Sequence, residues 1–300
     1  MNVANEATNR STPAWTWDAV ADLIRLRNQS GTWLLMLPSL WSLILAHHGR
    51  PPLWLVGVFA VGAFVMRSLG VVFNDLADRE FDKHVTRTSN RPLAAGRLVP
   101  RQALFVALGL ATIAAALVAT LNTLTILLSP IALILATIYP FSKRWIQIPQ
   151  AVLGIAFGWG TIMAWAASRG TIDPPAWWLL AATTCWAIAY DTIYALQDRE
   201  DDRRIGVKSS ALLFGEAVPS AVGLFLVGMV LCLIAAGQLS DLRMGYYLVL
   251  ALLAGVFIWQ VRRLQAPMTP QAAFLMFQQH VYAGAAILVG IWLGTLEWTP

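Results

Sequence analysis

The fold class this sequence predicts is an all-α integral membrane protein with nine transmembrane helices. Three observations carry that prediction. Of 300 residues, 58% are apolar and 12% are charged, with a mean hydropathy of +0.62. That is about half the charge of a soluble domain, too little to cover a globule of this size. At about 20 apolar residues per span, the composition suffices for roughly eight or nine crossings. Nine apolar runs are present, and Lys and Arg gather on one side of them.

The chain opens with a polar stretch, residues 1–10, and no apolar run precedes Thr32, so no cleavable signal is read here. Trp15, Ala19, Leu23 and Leu26 then recur near helical spacing, with Asp18, Asp22, Arg25 and Arg27 between them. This pattern predicts an interfacial amphipathic helix within a cytoplasmic N-terminal segment, 1–31. The transmembrane domain takes the remainder, 32–300. Its apolar runs fall at 32–46, 53–73, 103–121, 124–139, 151–167, 176–196, 218–237, 244–261 and 272–296. Asn122 and Thr123 read either as a tight turn or as an interruption in one long run. Trp33, Trp54, Trp177, Trp178, Trp292 and Trp298 sit near run ends, where an aromatic belt places its anchors.

Orientation follows from the cations. With the N-terminus inside, the inner segments hold Arg10, Arg25 and Arg27, then Arg79, Lys83, Arg87, Arg91, Arg97 and Arg101. Lys143 and Arg144, then Arg199, Arg203, Arg204 and Lys208, and finally Arg262 and Arg263 complete the inner set. The outer segments hold Arg50, Arg169 and Arg243, and Arg67 lies within the second span. The net charge of +5 therefore reflects topology and an anionic leaflet. No nucleic-acid motif and no obligate protein partner is evident; the predicted partner is the lipid bilayer. Cys185 and Cys232 lie in apolar runs without metal or redox spacing and read as packing residues. The four histidines form no metal-ligand pattern, and His280 reads as a buried structural residue.

Nine of the 16 acidic residues occupy two stretches: Asp75, Asp78, Glu80 and Asp82, and Asp191, Asp198, Glu200, Asp201 and Asp202. An amide-Asp-x-x-Asp core recurs, as Asn74-Asp75 with Asp78 and Gln197-Asp198 with Asp201. Both lie on the inner side four spans apart, which reads as a parallel repeat with halves near 32–150 and 151–300. Residues three, four and seven apart share a helix face. Arg67, Asn74, Asp78 and Asp82 thus form one stripe if the second helix continues inward, and Asp191, Tyr194, Asp198 and Asp202 form another on the sixth. If those helices are neighbours, the carboxylates converge.

Such convergence is costly, because like charges repel, helix carboxyl ends disfavour anions and the membrane penalises charge. A hard divalent cation with oxygen ligands removes all three costs, and Mg²⁺ is commonly held by carboxylates together with substrate phosphates. The clusters therefore point to a diphosphate site bridged by Mg²⁺. Solvated helix ends are the alternative reading, and Glu80, Glu200 and Asp201 fit it best. Two matching clusters and a lone Arg67 inside an apolar span favour a site.

The sequence resembles the membrane-embedded aromatic prenyltransferases of the UbiA superfamily, and within them the 4-hydroxybenzoate polyprenyltransferases of ubiquinone synthesis. The first signature is Asn74-Asp-x-x-Asp78-x-x-x-Asp82, continuing through His84 and Arg87-Thr-x-x-Asn90-Arg91-Pro92-Leu93-Ala94-x-Gly96-Arg97. The second is Tyr190-Asp191-Thr-x-Tyr194-Ala-x-Gln197-Asp198-Arg-Glu-Asp-Asp202, continuing to Ile205-Gly206-Val207-Lys208-Ser209. Tyr139-Pro140-Phe141-x-Lys143-Arg144 and Pro149-Gln150-x-x-Leu153-Gly154 are also similar to the family, and the likeness covers nearly the whole chain. One departure is the run Arg27-Asn28-Gln29-Ser30-Gly31-Thr32, where the family usually carries an Asp-Lys-Pro-Ile-Gly-like stretch.

The resemblance implies nine helices around a central cavity capped by the cytoplasmic loops, in a bacterial inner membrane. It implies that Asn74, Asp75, Asp78, Asp82, Asp198 and Asp202 hold Mg²⁺ and a polyprenyl diphosphate. Tyr139, Tyr194, Lys143, Arg144 and Lys208 are then expected to serve the diphosphate or the acceptor. Arg67 is expected to pair with the carboxylate of 4-hydroxybenzoate, the diphosphate being its rival claimant, and Asp191 to sit nearest the reacting carbon. The implied reaction is electrophilic prenylation ortho to the phenolic hydroxyl. A sister enzyme acting on homogentisate, a dihydroxynaphthoate or haem is an alternative. A cation transporter is a more remote one, disfavoured because the carboxylates cluster on one side with no acidic relay at mid-membrane.

Overall fold

The computed structural model describes residues 15–206 and 208–296, and the side chains of Lys143, Arg144 and Ile205 lie outside that description. Arg10 and Trp298 lie outside it too. The chain begins with α1 (Trp17–Leu23), α2 (Ser30–Ala46), α3 (Leu53–Asp82), α4 (Pro100–Val118), α5 (Thr123–Trp145) and α6 (Pro149–Arg169). It continues through α7 (Pro174–Ala195), the short α8 (Arg199–Ile205) and α9 (Ser210–Phe214), then α10 (Val218–Gln238), α11 (Met244–Leu264) and α12 (Pro270–Thr295). No strand occurs among the described residues.

Each apolar run of the sequence falls on a helix of its own. Seven helical segments are long and apolar enough to cross a bilayer, which makes this a multi-pass membrane protein. The 17-residue α2 is apolar but shorter, and α7 is not among the seven. The Trp, Tyr and Thr residues of α7 lower its hydropathy, and much of that helix is buried against its neighbours rather than turned to lipid. Leu108, Leu127, Leu224 and Leu252 are exposed on α4, α5, α10 and α11, as a lipid-facing surface requires.

The division at Asn122 is a true turn. The Asn122 side chain accepts from the Thr125 N–H at 3.0 Å, capping α5, and donates to the Ala166 carbonyl at 2.7 Å. The N-terminal apolar stripe divides between two environments. Ala19 and Leu23 pack into a core with Leu69 and Val72 of α3 and with Leu98, whereas Trp15 and Trp17 stay exposed. Arg25 follows with φ of 57°, turning the chain so that Leu26 leaves the α1 face.

Helix packing relies on small residues and on side chains that bond to carbonyls of neighbouring helices. Trp41 Nε1 of α2 donates to the Gly284 carbonyl of α12 at 2.9 Å, and Ser42 Oγ donates to the Thr161 carbonyl of α6 at 2.7 Å. Helices α6 and α7 approach most closely at Gly154, where a Cβ would meet Thr184 Cα at 2.7 Å. Gly154→Val therefore overpacks this contact, at about 1–3 kcal/mol. A lower thermal midpoint of the detergent-solubilised protein is the expected result. Gly255→Ala, where a Cβ meets nothing within 4 Å, is expected to leave the midpoint unchanged.

Candidate active site

A cavity of about 900 Å³ runs between α2, α3, α4, α5, α6 and α7. The end beside α1 and the C-terminal end of α3 is charged, with Asp22, Arg25, Arg87, Arg91 and Arg97 in the wall. Arg67, Asn74, Asp75, Tyr139, Asp191 and Tyr194 line its middle. Toward the opposite end the lining turns apolar, with Phe59, Ala115, Val118, Leu121, Ala132 and Met163. Asn28, Ser30 and Gly31, from the segment that departs from the family pattern, also line it. A Cβ on Gly31 would collide with the Arg67 guanidinium, so glycine there lets the start of α2 lie against that side chain.

Helix α3 continues to Asp82, which places the stripe from Arg67 to Asp82 on a single element. Helices α3 and α7 do not pack extensively on one another; they line the cavity from different sides. Consequently the two acidic clusters do not fuse. Among the described residues, no three histidine, cysteine or carboxylate groups come together as a metal site. Arginines link the clusters instead.

Asp75 is 1% exposed, and both of its oxygens accept from Arg25 Nη2, at 2.7 and 2.9 Å. Arg91 Nη1 bridges Asp75 and Asp82 at 3.2 and 2.9 Å. Two guanidinium groups thus neutralise Asp75. Across the cavity mouth, Arg87 Nε and Nη2 fork onto both oxygens of Asp198, at 2.9 and 2.5 Å. Its Nη1 donates to the Tyr194 hydroxyl at 2.7 Å, and the guanidinium lies 5.0 Å from that ring centre. Burial opposes the Arg87 charge, but the bonds to Asp198 and the nearby Tyr194 raise its pKa above the ordinary arginine value. The Thr86 N–H donates to Asp201 and Arg204 donates to the His84 carbonyl, so the chain after α3 is tied to α8 as well.

Arg67 lines the cavity and has no carboxylate within ion-pair distance among the described residues. A guanidinium so placed in a membrane cavity lacks its counter-charge, which an anionic ligand can supply.

Not every residue read from the sequence lines this cavity. Asp78, Asp82, Asp198, Asp202 and Lys208 lie outside its wall. Lys208 is exposed and donates to the Trp145 carbonyl at 3.4 Å, near the carbonyl end of α5 where a cation is favoured. Lys143 and Arg144 fall on the last turn of α5, with side chains outside the described residues. Sequence reasoning assigned the inner arginines to topology and missed Arg25, Arg87 and Arg91 as partners of the carboxylates. The signal available was the spacing of Arg87 and Arg91, one helical turn apart beside the first acidic motif.

The sequence profile of the UbiA prenyltransferase family matches residues 35–282. A 4-hydroxybenzoate octaprenyltransferase from Aeromonas salmonicida is 47% identical over 278 residues, covering 93% of this chain and 96% of its own. The apo structure of a UbiA homolog from Aeropyrum pernix K1 superposes with a TM-score of 0.75 at 26% identity, covering 88% of this chain and 98% of its own. A UbiA homolog from Archaeoglobus fulgidus bound to GPP and Mg²⁺ gives 0.65 at 15% identity, covering 90% and 99%. With the profile spanning most of the sequence and a relative at this identity over nearly its full length, the chain belongs to the UbiA prenyltransferase family.

Proposed function

We propose that this protein transfers a polyprenyl group from a polyprenyl diphosphate to 4-hydroxybenzoate, ortho to the hydroxyl, as ubiquinone synthesis requires. The observation that carries the reading is the polarity of the cavity. One opening joins arginines and carboxylates at one end to an apolar passage toward the other. A substrate with a dianionic head and an insoluble tail needs both. The relative from Aeromonas salmonicida supports the acceptor by its name and identity. In this reading nine helices span a bacterial inner membrane with the N-terminus in the cytoplasm, supported by the inward bias of Lys and Arg.

The donor set fits Mg²⁺ in its chemistry. Asn74, Asp78 and Asp82 on α3, with Asp198 and Asp202 beyond α7, offer only oxygen ligands, as a hard cation prefers. Arg91 on Asp82 and Arg87 on Asp198 already show these carboxylates neutralised by cations. Bound there, Mg²⁺ would neutralise the diphosphate and ease its departure. Tyr139, Tyr194, Lys143, Arg144 and the arginines of the cavity mouth contact the diphosphate oxygens. Lys208, exposed beside the end of α5, adds positive charge on the same side of the chain.

The allylic carbon–oxygen bond breaks, its electron pair leaves with the diphosphate, and the ring carbon ortho to the hydroxyl bonds to the allylic carbon. Arg67 holds the acceptor carboxylate. Asp191, on α7 deeper than Asp198, stabilises the allylic cation and accepts from the phenolic hydroxyl, roles suited to an ionised carboxylate in a dry site. The ring proton passes to the released diphosphate, and aromaticity is restored.

Asp78→Ala, Asp191→Ala and Asp198→Ala should each lower prenyl transfer at least about a hundredfold while the protein stays folded in membranes. Radiolabelled 4-hydroxybenzoate with prenyl diphosphates of several lengths provides the assay, and full activity in Asp198→Ala would sink the metal assignment. Chelation of divalent ions should stop turnover and added Mg²⁺ restore it. Turnover that persists in the chelator would remove Mg²⁺ from the scheme.

A further inference from the structure

Gly70 stands on the face of α3 that carries Arg67, three residues before it, and Asn74, four residues after it. All three line the cavity. A Cβ built on Gly70 would meet no atom within 4 Å, whereas one on Gly154, at the α6–α7 contact, would meet backbone at 2.7 Å. Glycine weakens a helix relative to alanine, and a membrane helix keeps it where a neighbouring backbone must come close. No neighbour comes close here. The backbone does not require glycine either, since the φ of Gly70 is not positive.

The space beside Gly70 is held open. Arg67 is the long side chain one turn away, and its guanidinium rests instead against the start of α2, where a Cβ on Gly31 would lie 2.8 Å from Nη2. Seven residues of helix carry the chain from Arg67 to Asn74, about 10 Å along the axis. That interval holds one benzene ring with a substituent at each end. In the reading given above, Arg67 takes the acceptor carboxylate and Asn74 opens the acidic motif assigned to the diphosphate. The ring then lies between them, over the point where α3 carries no side chain. We propose that Gly70 is the floor of the acceptor subsite, on which the ring of a benzoate lies flat against the α3 backbone. The proposal rests on the acceptor reading, and it makes Gly70 the position that sets how bulky an acceptor the site admits.

Gly70→Ala and Gly70→Leu test this, because both fill space that no other residue occupies. The KM for 4-hydroxybenzoate should rise about tenfold in Gly70→Ala and about a hundredfold in Gly70→Leu, the factors expected when a close contact is overfilled. The KM for the prenyl diphosphate should stay within about twofold. A penalty shared equally by acceptor and donor, or confined to the donor, overturns the proposal, since the floor would then lie beneath the prenyl diphosphate. An unchanged acceptor KM in Gly70→Leu overturns it too. The ligand-free thermal midpoint of Gly70→Ala should hold, because its methyl enters open space. A fall, or failure to fold, would reveal a packing role for the glycine and also overturn the proposal. Calorimetric titration of 4-hydroxybenzoate in detergent, without diphosphate, separates the two readings. If wild type binds the acid and Gly70→Ala binds it about tenfold more weakly, the assignment of Gly70 stands even where transfer to this acceptor fails. Equal binding by both removes Gly70 and leaves the proposed reaction untouched. No binding and no transfer by the wild type removes the acceptor reading and the subsite with it.

Discussion

Carboxylates placed at the edge of a membrane must be neutralised, and the pairing of aspartates with arginines is the constraint on which this structure turns. Asp75 is buried between Arg25 and Arg91, and Asp198 is gripped by the Arg87 fork. Removing Arg25 or Arg91 would leave the buried Asp75 charge short of a partner, which costs far more than the pair itself contributes. The arrangement therefore fixes three chain segments at once. The turn after α1, the stretch after α3 and the end of α7 are each held by a guanidinium. Arg25 reaches Asp75 from a left-handed backbone position, so a strained turn is part of the same pairing.

The bilayer supplies the complementary constraint. Away from the charged end, helices cannot be drawn together by the hydrophobic effect, and they associate through close backbone approach and polar side chains aimed at carbonyls. Gly154 against Thr184, Trp41 against Gly284 and Ser42 against Thr161 are contacts of this kind. They leave α2, α6, α7, α10 and α12 as a tightly joined group, with α3, α4 and α5 enclosing the cavity beside it. That group carries Asp191, while the enclosing side carries Arg67 and Asn74.

Much of this was legible in the sequence because the bilayer imposes a simple code of length and polarity. Each apolar run marks a helix, seven helical segments among the described residues are long and apolar enough to span a bilayer, and the spacing of Arg67, Asn74, Asp78 and Asp82 marks one face of α3. The code is silent on which helices adjoin. Whether α3 and α7 adjoin, the condition for the carboxylates to converge, is decided by tertiary packing, and the structure sets the two helices across a cavity. Ala19 and Leu23 illustrate the same limit: an amphipathic stripe is equally suited to lipid and to a protein core, and here α3 takes it. Lys208 lies in a motif, yet the carbonyl end of α5 claims its ammonium.

The length of α3 has a consequence for where the product travels. Thirty residues at 1.5 Å each make a rod of about 45 Å, while the hydrocarbon layer is about 30 Å thick. The acidic end of the helix therefore reaches the headgroup zone, and the cavity is polar there and oily below. A prenylated ring formed at that boundary has its aromatic head already at the interface and its tail already at the depth of the acyl chains. It can diffuse away sideways without any methylene meeting water, a transfer that would cost about 0.8 kcal/mol for each one. The catalyst thus works as a point on a two-dimensional route, receiving and releasing a lipid that never changes its level in the membrane.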